Sequence, residues 1–439
     1  MTRLGAVTAP ERFGPYWLLD RINVGGMAEV FRGKQVGVEG FERLIALKRI
    51  LPSVSSDPDF IDMFVDEAKI AVLLQHANIA QTYDLGKVDD QYFIAMEYVS
   101  GVDLRTIWDR ARKRKRLLPI AMSAHVAQRV CEGLDAAHRK LDDTGKELGL
   151  VHRDISPHNV LCSYEGEVKI IDFGIAKVAN KVSRTQAGAL KGKFGYMSPE
   201  QIRGINVDRR SDIFAVGIVL WELLVGRRLF VGNSDFAVLE KIRNADFEAP
   251  SKLNPRLDPG LEAIVMRALS ADREARYAWA SEMAADLSRY LFQDGQIFSR
   301  GDLARYMAQH FETEIHAERE RLDGYRKLVL PVEAPRSRVP DRSTVVDERA
   351  APRVTAAPAR PPAPAVEVKP LPASMARAIT ETRREGTISE VSAPWIGQTK
   401  ASSRPQGGLP TWAAMLIGGL LVVAVGALGA LIYVLAARP

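Results

Sequence analysis

Cysteine and apolar leader sequences are scarce in this chain. Only two of the 439 residues are cysteine, Cys131 and Cys162. Two thiols are too few for a disulfide framework, so both are expected to be free, buried thiols in a reducing compartment, with no redox role. The N-terminus carries no apolar run of the signal-peptide kind, so we expect nothing to export the first segment.

Strong net charge is also missing from most of the chain. The net charge is +6, and residues 331–411 hold 12 Lys and Arg against 8 Asp and Glu, so +4 of it lies there. The remainder is nearly neutral, which argues against a polyanion-binding face and against a nucleic-acid partner. With 46% hydrophobic and 26% charged residues, the chain has room for one large or two ordinary globular domains.

The most informative stretch is 151–161, which places an acid, an amide and basic side chains between two apolar runs. Asp154 and Asn159 are five residues apart. At this spacing a carboxylate can accept a proton from a hydroxyl group while the amide oxygen ligates a metal. Asp172 follows a second apolar strand and begins an Asp-Phe-Gly triplet. Together these two stretches resemble the catalytic loop and the metal-binding triplet of protein kinases.

The N-terminal part of the chain predicts a small β-rich unit with a buried ion pair. Residues 16–22, 30–35 and 44–50 have strand character, and Lys48 stands on the third of these apolar strands. The helix that follows carries Glu67 within an apolar stripe. A buried carboxylate is costly without a cation, so we expect Lys48 to pair with Glu67.

Further elements of the kinase pattern occur in the right order from about Phe13 to Leu291. The sequence resembles bacterial Ser/Thr kinases most closely, through residues 25–28 and 197–201. The resemblance implies an α+β, bilobal protein kinase fold with a small β-rich lobe and a large helical lobe. It also implies transfer of the γ-phosphate of ATP, with Mg²⁺, to hydroxyl groups of protein substrates.

The resemblance assigns roles to five residues of the reaction centre. Asp154 is expected to orient the acceptor hydroxyl and take its proton, Lys48 to hold ATP, and Glu67 to hold Lys48. Asn159 and Asp172 are expected to bind Mg²⁺. The expected ATP-binding residues are Ile22, Asn23, Val24, Gly25, Gly26, Met27, Ala28, Val30, Lys48, the backbone of Glu97 and Val99 for adenine, and Asp103 for the ribose.

The glycine-rich loop departs from the family pattern. Asn23 and Ala28 stand where that pattern has its first and third glycines, and Gly25 is retained. Asn tolerates positive φ better than most residues, so we expect the turn to survive. Together with Ser156 in the catalytic loop, these departures motivate an alternative function, a pseudokinase that acts as a membrane scaffold.

The large lobe is expected to contain a helix at about 119–141 and a helix buried on all sides at 207–225. Asp212 is expected to bond to the backbone of the catalytic loop, and Arg276 to pair with Glu200, as in the family. Residues 110–116 include six basic side chains in seven positions. A solvated helix end explains them better than an acidic docking site.

Two departures concern charge near the catalytic aspartate. Ser156 replaces the lysine usual in Ser/Thr kinases, and Lys193 replaces a threonine, so we interpret the pair as a transposed charge. Ser156 also leaves tyrosine specificity open. Thr185 lies fifteen residues before Glu200, where related bacterial kinases place an activating threonine. Thr185 is therefore predicted to be autophosphorylated. Arg153 is expected to pair with the phosphate group of the modified Thr185.

Sequence pattern and composition divide the chain into four predicted parts. The predicted domains are a kinase domain at 13–292, a helical extension at 293–330 packed on the large lobe, a Pro/Ala-rich disordered linker at 331–411 and a transmembrane helix at 412–437. Residues 412–437 carry no charge and are long enough to cross a hydrocarbon core of about 30 Å.

Membrane topology and self-association follow from the predicted transmembrane helix. Lys400 and Arg404 lie before it and only Arg438 and Pro439 after it, so we expect a single-pass cell-membrane protein with a cytoplasmic kinase domain and no folded extracellular sensor. Confinement at the membrane is expected to favour self-association and phosphorylation between molecules.

Overall fold

Six antiparallel strands form the small lobe of the protein, in the order β1-β2-β3-β4-β6-β5. The structure is a computed structural model that describes residues 9–37, 41–55, 57–173, 194–292 and 298–331. Apolar side chains that alternate along these strands share one core around Ile45, Leu47 and Phe93. The strands are β1 (Glu11–Phe13), β2 (Tyr16–Val24), β3 (Ala28–Val36), β4 (Glu42–Ile50), β5 (Thr82–Val88) and β6 (Gln91–Glu97).

Helix α1 (Pro58–Leu73) is the predicted helix that carries Glu67, and it packs against this sheet. The carboxylate of Asp57 caps it by accepting the N–H groups of Asp59 and Phe60, and Pro58 occupies the first turn, where no N–H is needed. Phe64 and Ala68 are its most deeply buried residues. They orient the helix so that Glu67 points toward β4.

The large lobe is helical and is organised around α3 (Ile120–His138) and α5 (Arg210–Val225). These helices confirm the predicted pair: α3 ends a few residues before its predicted end, and α5 begins a few residues after its predicted start and ends at the predicted Val225. Every residue of α5 from Ser211 to Val225 is buried, as expected for a helix that is apolar on all sides. The remaining helices are α2 (Leu104–Lys113), α4 (Pro199–Arg203), α6 (Asp235–Asn244), α7 (Pro250–Leu253), α8 (Pro259–Ala268), α9 (Ala280–Phe292), α10 (Arg300–His310) and α11 (Glu312–Arg326).

A small sheet at the lobe boundary positions the catalytic stretch. Its strands, in the order β7-β8-β9, are β7 (Gly101–Asp103), β8 (Val160–Ser163) and β9 (Val168–Ile170). Asp154 and Asn159 lie just before β8, and Asp172 lies just after β9. The β8–β9 hairpin therefore brings two segments that are separated in sequence to the same edge of the cleft.

The helical extension packs on the large lobe, as predicted, through α10. Leu303, Met307 and Phe311 are fully buried in the large-lobe core. The backbone of α10 approaches the β8–β9 turn so closely that a Cβ atom on Gly166 would lie 2.0 Å from the carbonyl oxygen of Arg300. Gly166 also has φ +83°, so this contact requires glycine. Helix α11 additionally reaches the small lobe, which the sequence did not predict.

Several predictions fall on residues outside the described part of the chain. They concern Thr185, Lys193, nearly all of the linker at 331–411 and the transmembrane helix at 412–437. Within the described part, no helix combines the length and the apolar character needed to cross a bilayer. The linker and the membrane span therefore stay predictions.

The expected pair between Glu200 and Arg276 is confirmed and fully buried. Two guanidinium nitrogens of Arg276 donate to the two carboxylate oxygens of Glu200 at 2.7 and 3.0 Å, and Ser211 donates its hydroxyl group to the same carboxylate. Arg276 and Glu200 are only 3% exposed. Although burial opposes the charge on Glu200, these contacts hold its pKa below the usual value.

We predict that Arg276→Ala destabilises the fold because it leaves Glu200 as a buried, unpaired charge. Breaking a buried pair costs about 3–5 kcal/mol, which corresponds to a drop of roughly 10 °C in melting temperature for a domain of this size. Differential scanning calorimetry measures the drop. Arg289→Ala is the matched control, because this arginine is 74% exposed beside Asp286, and it should shift the melting temperature little. Equal shifts for the two variants would contradict the prediction.

Candidate active site

The buried carboxylate of Asp212 fixes the backbone of the catalytic stretch. Its two oxygens accept the N–H groups of His152 and Arg153, each at 2.8 Å, and one of them also contacts the ring of His138 at 2.8 Å. Burial opposes the charge, but these partners hold the pKa of Asp212 below its usual value. The predicted bond from Asp212 to the catalytic loop is confirmed.

Two residues beside the reaction centre have left-handed backbone conformations. Arg153 has φ +65° and Asp172 has φ +55°, which is uncommon for residues other than glycine. Such strain persists only where surrounding contacts enforce it, and it clusters at functional sites. At Arg153 the enforcing contacts are the bond from its N–H to Asp212 and a bond from the Gln201 side chain to its carbonyl oxygen at 3.2 Å.

The loop that carries Asp154 is closed by Asn159. The amide nitrogen of Asn159 donates to the carbonyl oxygen of Asp154 at 2.8 Å, and the N–H of Ile171 donates to the carbonyl oxygen of Asn159 at 3.0 Å. Because its amide nitrogen is engaged, the amide oxygen is the atom of Asn159 that can ligate a cation. Together with the carboxylate of Asp172 it supplies hard oxygen donors, which fit Mg²⁺.

Lys48 joins the two lobes across the cleft. Its ammonium group lies 3.3 Å from Glu67 on α1 and 2.8 Å from Asp172 in the large lobe, so the predicted Lys48–Glu67 pair is confirmed. Burial opposes the charge on Lys48, but the two carboxylates outweigh it and raise the pKa of Lys48. Burial is also the main reason why the pKa of Glu67 is raised, and Lys48 opposes that shift. Lys48 therefore remains a cation at neutral pH.

His152 is buried and packs its ring 4.6 Å from the ring of Phe173. Burial lowers the pKa of His152 below its usual value, so the imidazole stays neutral near pH 7. One ring nitrogen accepts the N–H of Asp154 at 3.2 Å. His152 thus helps to hold Asp154, a role that the sequence analysis did not assign.

The glycine-containing turn forms a tight hairpin between β2 and β3. The N–H of Gly25 donates to the carbonyl oxygen of Ala28 at 2.8 Å. Asn23 does not use the positive φ on which the sequence argument relied. Instead its side chain accepts the N–H of Val24 at 2.8 Å. The turn survives as expected, but for a different physical reason.

Glu97 and Val99, the residues expected to contact adenine, lie in the connection between the lobes. The N–H of Glu97 donates to the carbonyl oxygen of Gln81 at 2.8 Å, so the backbone of Glu97 can offer adenine only its carbonyl oxygen. The carboxylate of Glu97 is held by Lys169 at 2.7 Å. Met96 lines a pocket behind this connection together with Glu67, Ile79, Ile94, Asp172 and Phe173.

Asp103 has a structural role that the sequence analysis missed. Its side chain caps α2 by accepting the N–H of Thr106 at 2.6 Å, and it lies 3.8 Å from His158. Burial opposes the charge, yet these partners lower the pKa of Asp103. The contact to ribose stays a prediction.

Ser156 is buried in the catalytic loop, and its carbonyl oxygen accepts the N–H of Asn159 at 3.0 Å. Lys193 lies outside the described residues, so the transposed charge stays a prediction.

Comparison with known proteins places the chain among protein kinases. The family described as the protein kinase domain matches residues 16–287. The chain is 36% identical to the tyrosine-protein kinase MasK of Myxococcus xanthus over 98% of this chain and 66% of that protein. It is 35% identical to the serine/threonine-protein kinase PrkC of Bacillus subtilis over 62% of this chain and 40% of that protein.

A solved structure agrees with this placement. The PknI kinase domain of Mycobacterium tuberculosis has 26% sequence identity and a TM-score of 0.50, and the match covers 66% of this chain and 100% of that domain. The chain spans just under two thirds of MasK, 66%, and less than half of PrkC, 40%.

We predict that Lys48→Met lowers the rate constant for phosphoryl transfer by roughly 10²–10³-fold, the usual loss when a positioned charge is removed. The variant leaves the carboxylates of Glu67 and Asp172 without the cation that joins them. Steady-state kinetics with Mg·ATP measures the loss. Lys69→Met is the matched control, because Lys69 lies on α1, is 64% exposed and pairs with Asp66. A Lys48→Met enzyme as fast as this control would contradict the prediction.

Proposed function

The chain belongs to the protein kinase family, and on that premise we propose that it transfers the γ-phosphate of ATP to serine or threonine hydroxyl groups of proteins. The observation that carries this proposal is the lysine bridge across the cleft. Lys48 contacts Glu67 at 3.3 Å and Asp172 at 2.8 Å, beside a catalytic loop anchored by Asp212. This constellation is the one on which kinase chemistry depends.

The proposed mechanism assigns one task to each group of residues. Lys48 holds the phosphates of ATP, and its charge is maintained by Glu67. Asp154 accepts the proton of the acceptor hydroxyl, with its backbone held by His152 and Asn159. Asp172 and Asn159 would hold Mg²⁺, which would neutralise phosphate charge. Little covalent work is left for the protein, so positioning accounts for most of the catalysis.

The second candidate is transfer to tyrosine. Two observations favour it: Ser156 replaces the lysine that Ser/Thr kinases usually carry, and a relative that aligns with 98% of this chain is named a tyrosine-protein kinase. The relatives named serine/threonine-protein kinases align with less of the chain, 62% for PrkC. The pseudokinase alternative rests on Asn23, Ala28 and Ser156. The intact contacts of Lys48 and Asn159 argue against it.

Activation is proposed to depend on phosphorylation of Thr185. Burial lowers the pKa of Arg153, and Asp212 is the group that opposes this shift. A phosphate group near Arg153 would therefore stabilise its charged form. Tethering by residues 412–437 to the cytoplasmic face of a membrane is proposed to raise the local concentration of the kinase and favour phosphorylation between molecules.

We predict that the full chain with Mg·[γ-³²P]ATP labels a generic protein acceptor, and that Asp154→Asn removes the label while nucleotide binding is kept. Phosphoamino-acid analysis of the acceptor separates the two candidates. Phosphoserine and phosphothreonine support the leading proposal, whereas phosphotyrosine alone supports the second. An acceptor left unlabelled by a chain that binds ATP would favour the pseudokinase.

We predict that Thr185→Ala slows acceptor phosphorylation, because Arg153 then lacks the phosphate that would organise the loop. Phosphosite mapping and the rate of acceptor labelling measure the effect. Ser183→Ala is the matched control, since Ser183 and Thr185 are the only Ser or Thr residues at 175–195. An unmodified Thr185 in fully active enzyme would contradict the activation model.

We predict that removal of residues 411–439 leaves the intrinsic turnover unchanged but slows autophosphorylation at low protein concentration. Labelling at a series of protein concentrations measures the effect. A full-length chain found outside the membrane fraction would contradict the tether.

A further inference from the structure

Helix α11 crosses the connection between the lobes from outside. At its start, Arg110 on α2 pairs with Glu314 and stacks its guanidinium group 3.9 Å from the centre of the Phe311 ring. At its end, Lys34 on β3 donates to the carbonyl oxygen of Tyr325 at 3.0 Å. The same helix therefore touches the large lobe at one end and the small lobe at the other.

Between these ends, Glu318 joins α11 to the lobe connection. One carboxylate oxygen accepts the hydroxyl group of Tyr98 at 2.5 Å, and the other accepts a guanidinium nitrogen of Arg32 on β3 at 3.2 Å. The same nitrogen of Arg32 donates to the hydroxyl oxygen of Tyr98 at 2.7 Å. These three side chains form a closed triangle of hydrogen bonds.

Two further residues extend the triangle to β2. The second terminal nitrogen of Arg32 contacts both carboxylate oxygens of Asp20 at 2.7 Å. The hydroxyl group of Tyr325 donates to Asp20 at 2.6 Å. We call this network the clasp; its members are Asp20, Arg32, Tyr98, Glu318 and Tyr325.

The charged centre of the clasp, Arg32 with Glu318, is buried, whereas Asp20 and Tyr98 are partly exposed. Arg32 is 5% exposed and Glu318 is 6% exposed. Burying two charges costs free energy unless the partners are well aligned. Since the desolvation cost offsets much of the attraction, such a network contributes more to a defined geometry than to net stability. The clasp is therefore suited to fixing the position of α11 relative to the small lobe, in addition to holding the two together.

The clasp residues lie next to both walls of the nucleotide cleft. Tyr98 stands between Glu97 and Val99, whose backbone groups are the proposed adenine contacts. Asp20 and Arg32 are directly opposite each other in the β2–β3 ladder, midway along the hairpin whose turn is expected to cover the phosphates. Through Glu318 and Tyr325, α11 therefore holds the adenine contacts and the phosphate-binding hairpin in a fixed relation.

We propose that Glu318 and Tyr325 are positioning residues of the ATP site, so that docking of α11 and binding of ATP stabilise each other. The inference rests on the proposed function for the identity of the nucleotide. Coupling of this kind is reciprocal. A change that lifts α11 from the small lobe weakens ATP binding, and bound ATP strengthens the docking of α11.

The test measures nucleotide affinity and kinetics in the full chain, kept in detergent micelles. Glu318→Leu should raise the dissociation constant and the KM for Mg·ATP by roughly tenfold, within the usual range of coupling between sites. The kcat value at saturating ATP should change much less, because α11 contacts none of the reacting groups. Glu320→Gln is the matched control, because Glu320 lies on the same helix and is 71% exposed; it should leave both constants unchanged.

A second variant and a second measurement cover a folding defect in Glu318→Leu. Tyr325→Phe removes one hydroxyl group and should also raise the dissociation constant, by a smaller factor. In the wild-type chain, Mg·ATP should slow amide hydrogen exchange in residues 312–326. Affinities within twofold of wild type for the Tyr325→Phe variant and a folded Glu318→Leu variant, together with ATP-independent exchange in α11, would overturn the inference.

Measuring ATP affinity and phosphate transfer in the same chain distinguishes a failure of the positioning role from a failure of the proposed kinase activity. A chain that binds Mg·ATP, responds to Glu318→Leu as expected and transfers no phosphate supports the positioning role of α11 and contradicts the proposed kinase activity. If the wild-type chain transfers phosphate and both variants bind ATP with unchanged affinity, the result supports the kinase activity and contradicts the positioning role of α11. A wild-type chain that binds no ATP overturns both.

Discussion

The ammonium group of Lys48 connects the two lobes through ion pairs. It is held on β4 of the small lobe, contacts Glu67 on α1, and reaches Asp172 beyond β9 of the large lobe. Lys48 and Glu67 are mostly buried, so each of their charges would be unfavourable in the cleft without an opposite charge. The orientation of α1 and the position of Asp172 are thereby linked to the same atom. Asp212 plays the corresponding part within the large lobe, since the loop that carries Asp154 is fixed by bonds to its carboxylate.

Glu67 was predictable because it lies within an apolar stripe, whereas the roles of Asp212 and Arg276 came from the resemblance to kinases. Glu67, Asp212 and Arg276 cannot be buried alone, and the order of the surrounding motifs identified a partner or a backbone target for each. The β-rich lobe and the buried helix α5 were predictable for a related reason. Their apolar periodicity leaves few ways to bury the apolar surface. Bounds differed by a few residues because helix ends depend on local caps.

Other contacts could not be predicted, and the reasons are physical. Arg32 and Glu318 are 286 residues apart, and neither lies in an apolar run. Arg110 was interpreted as part of a solvated helix end, but it packs on Phe311 and pairs with Glu314. Its neighbours fit the solvated interpretation better, since Arg112 is 48% exposed. The left-handed conformations of Arg153 and Asp172 also have no local sequence signal, because tertiary contacts impose them.

The packing of α10 changes where the folded unit ends. The protein kinase family matches residues 16–287, yet Leu303, Met307 and Phe311 complete the hydrophobic core of the large lobe. A recombinant chain cut at the family boundary would expose the apolar surface that these side chains cover, and it would leave Arg32 without the carboxylate of Glu318. Exposed apolar surface of this kind promotes self-association. Low solubility or aggregation of such a fragment would thus reflect an incomplete core, and fusion partners or affinity tags are better attached beyond residue 331.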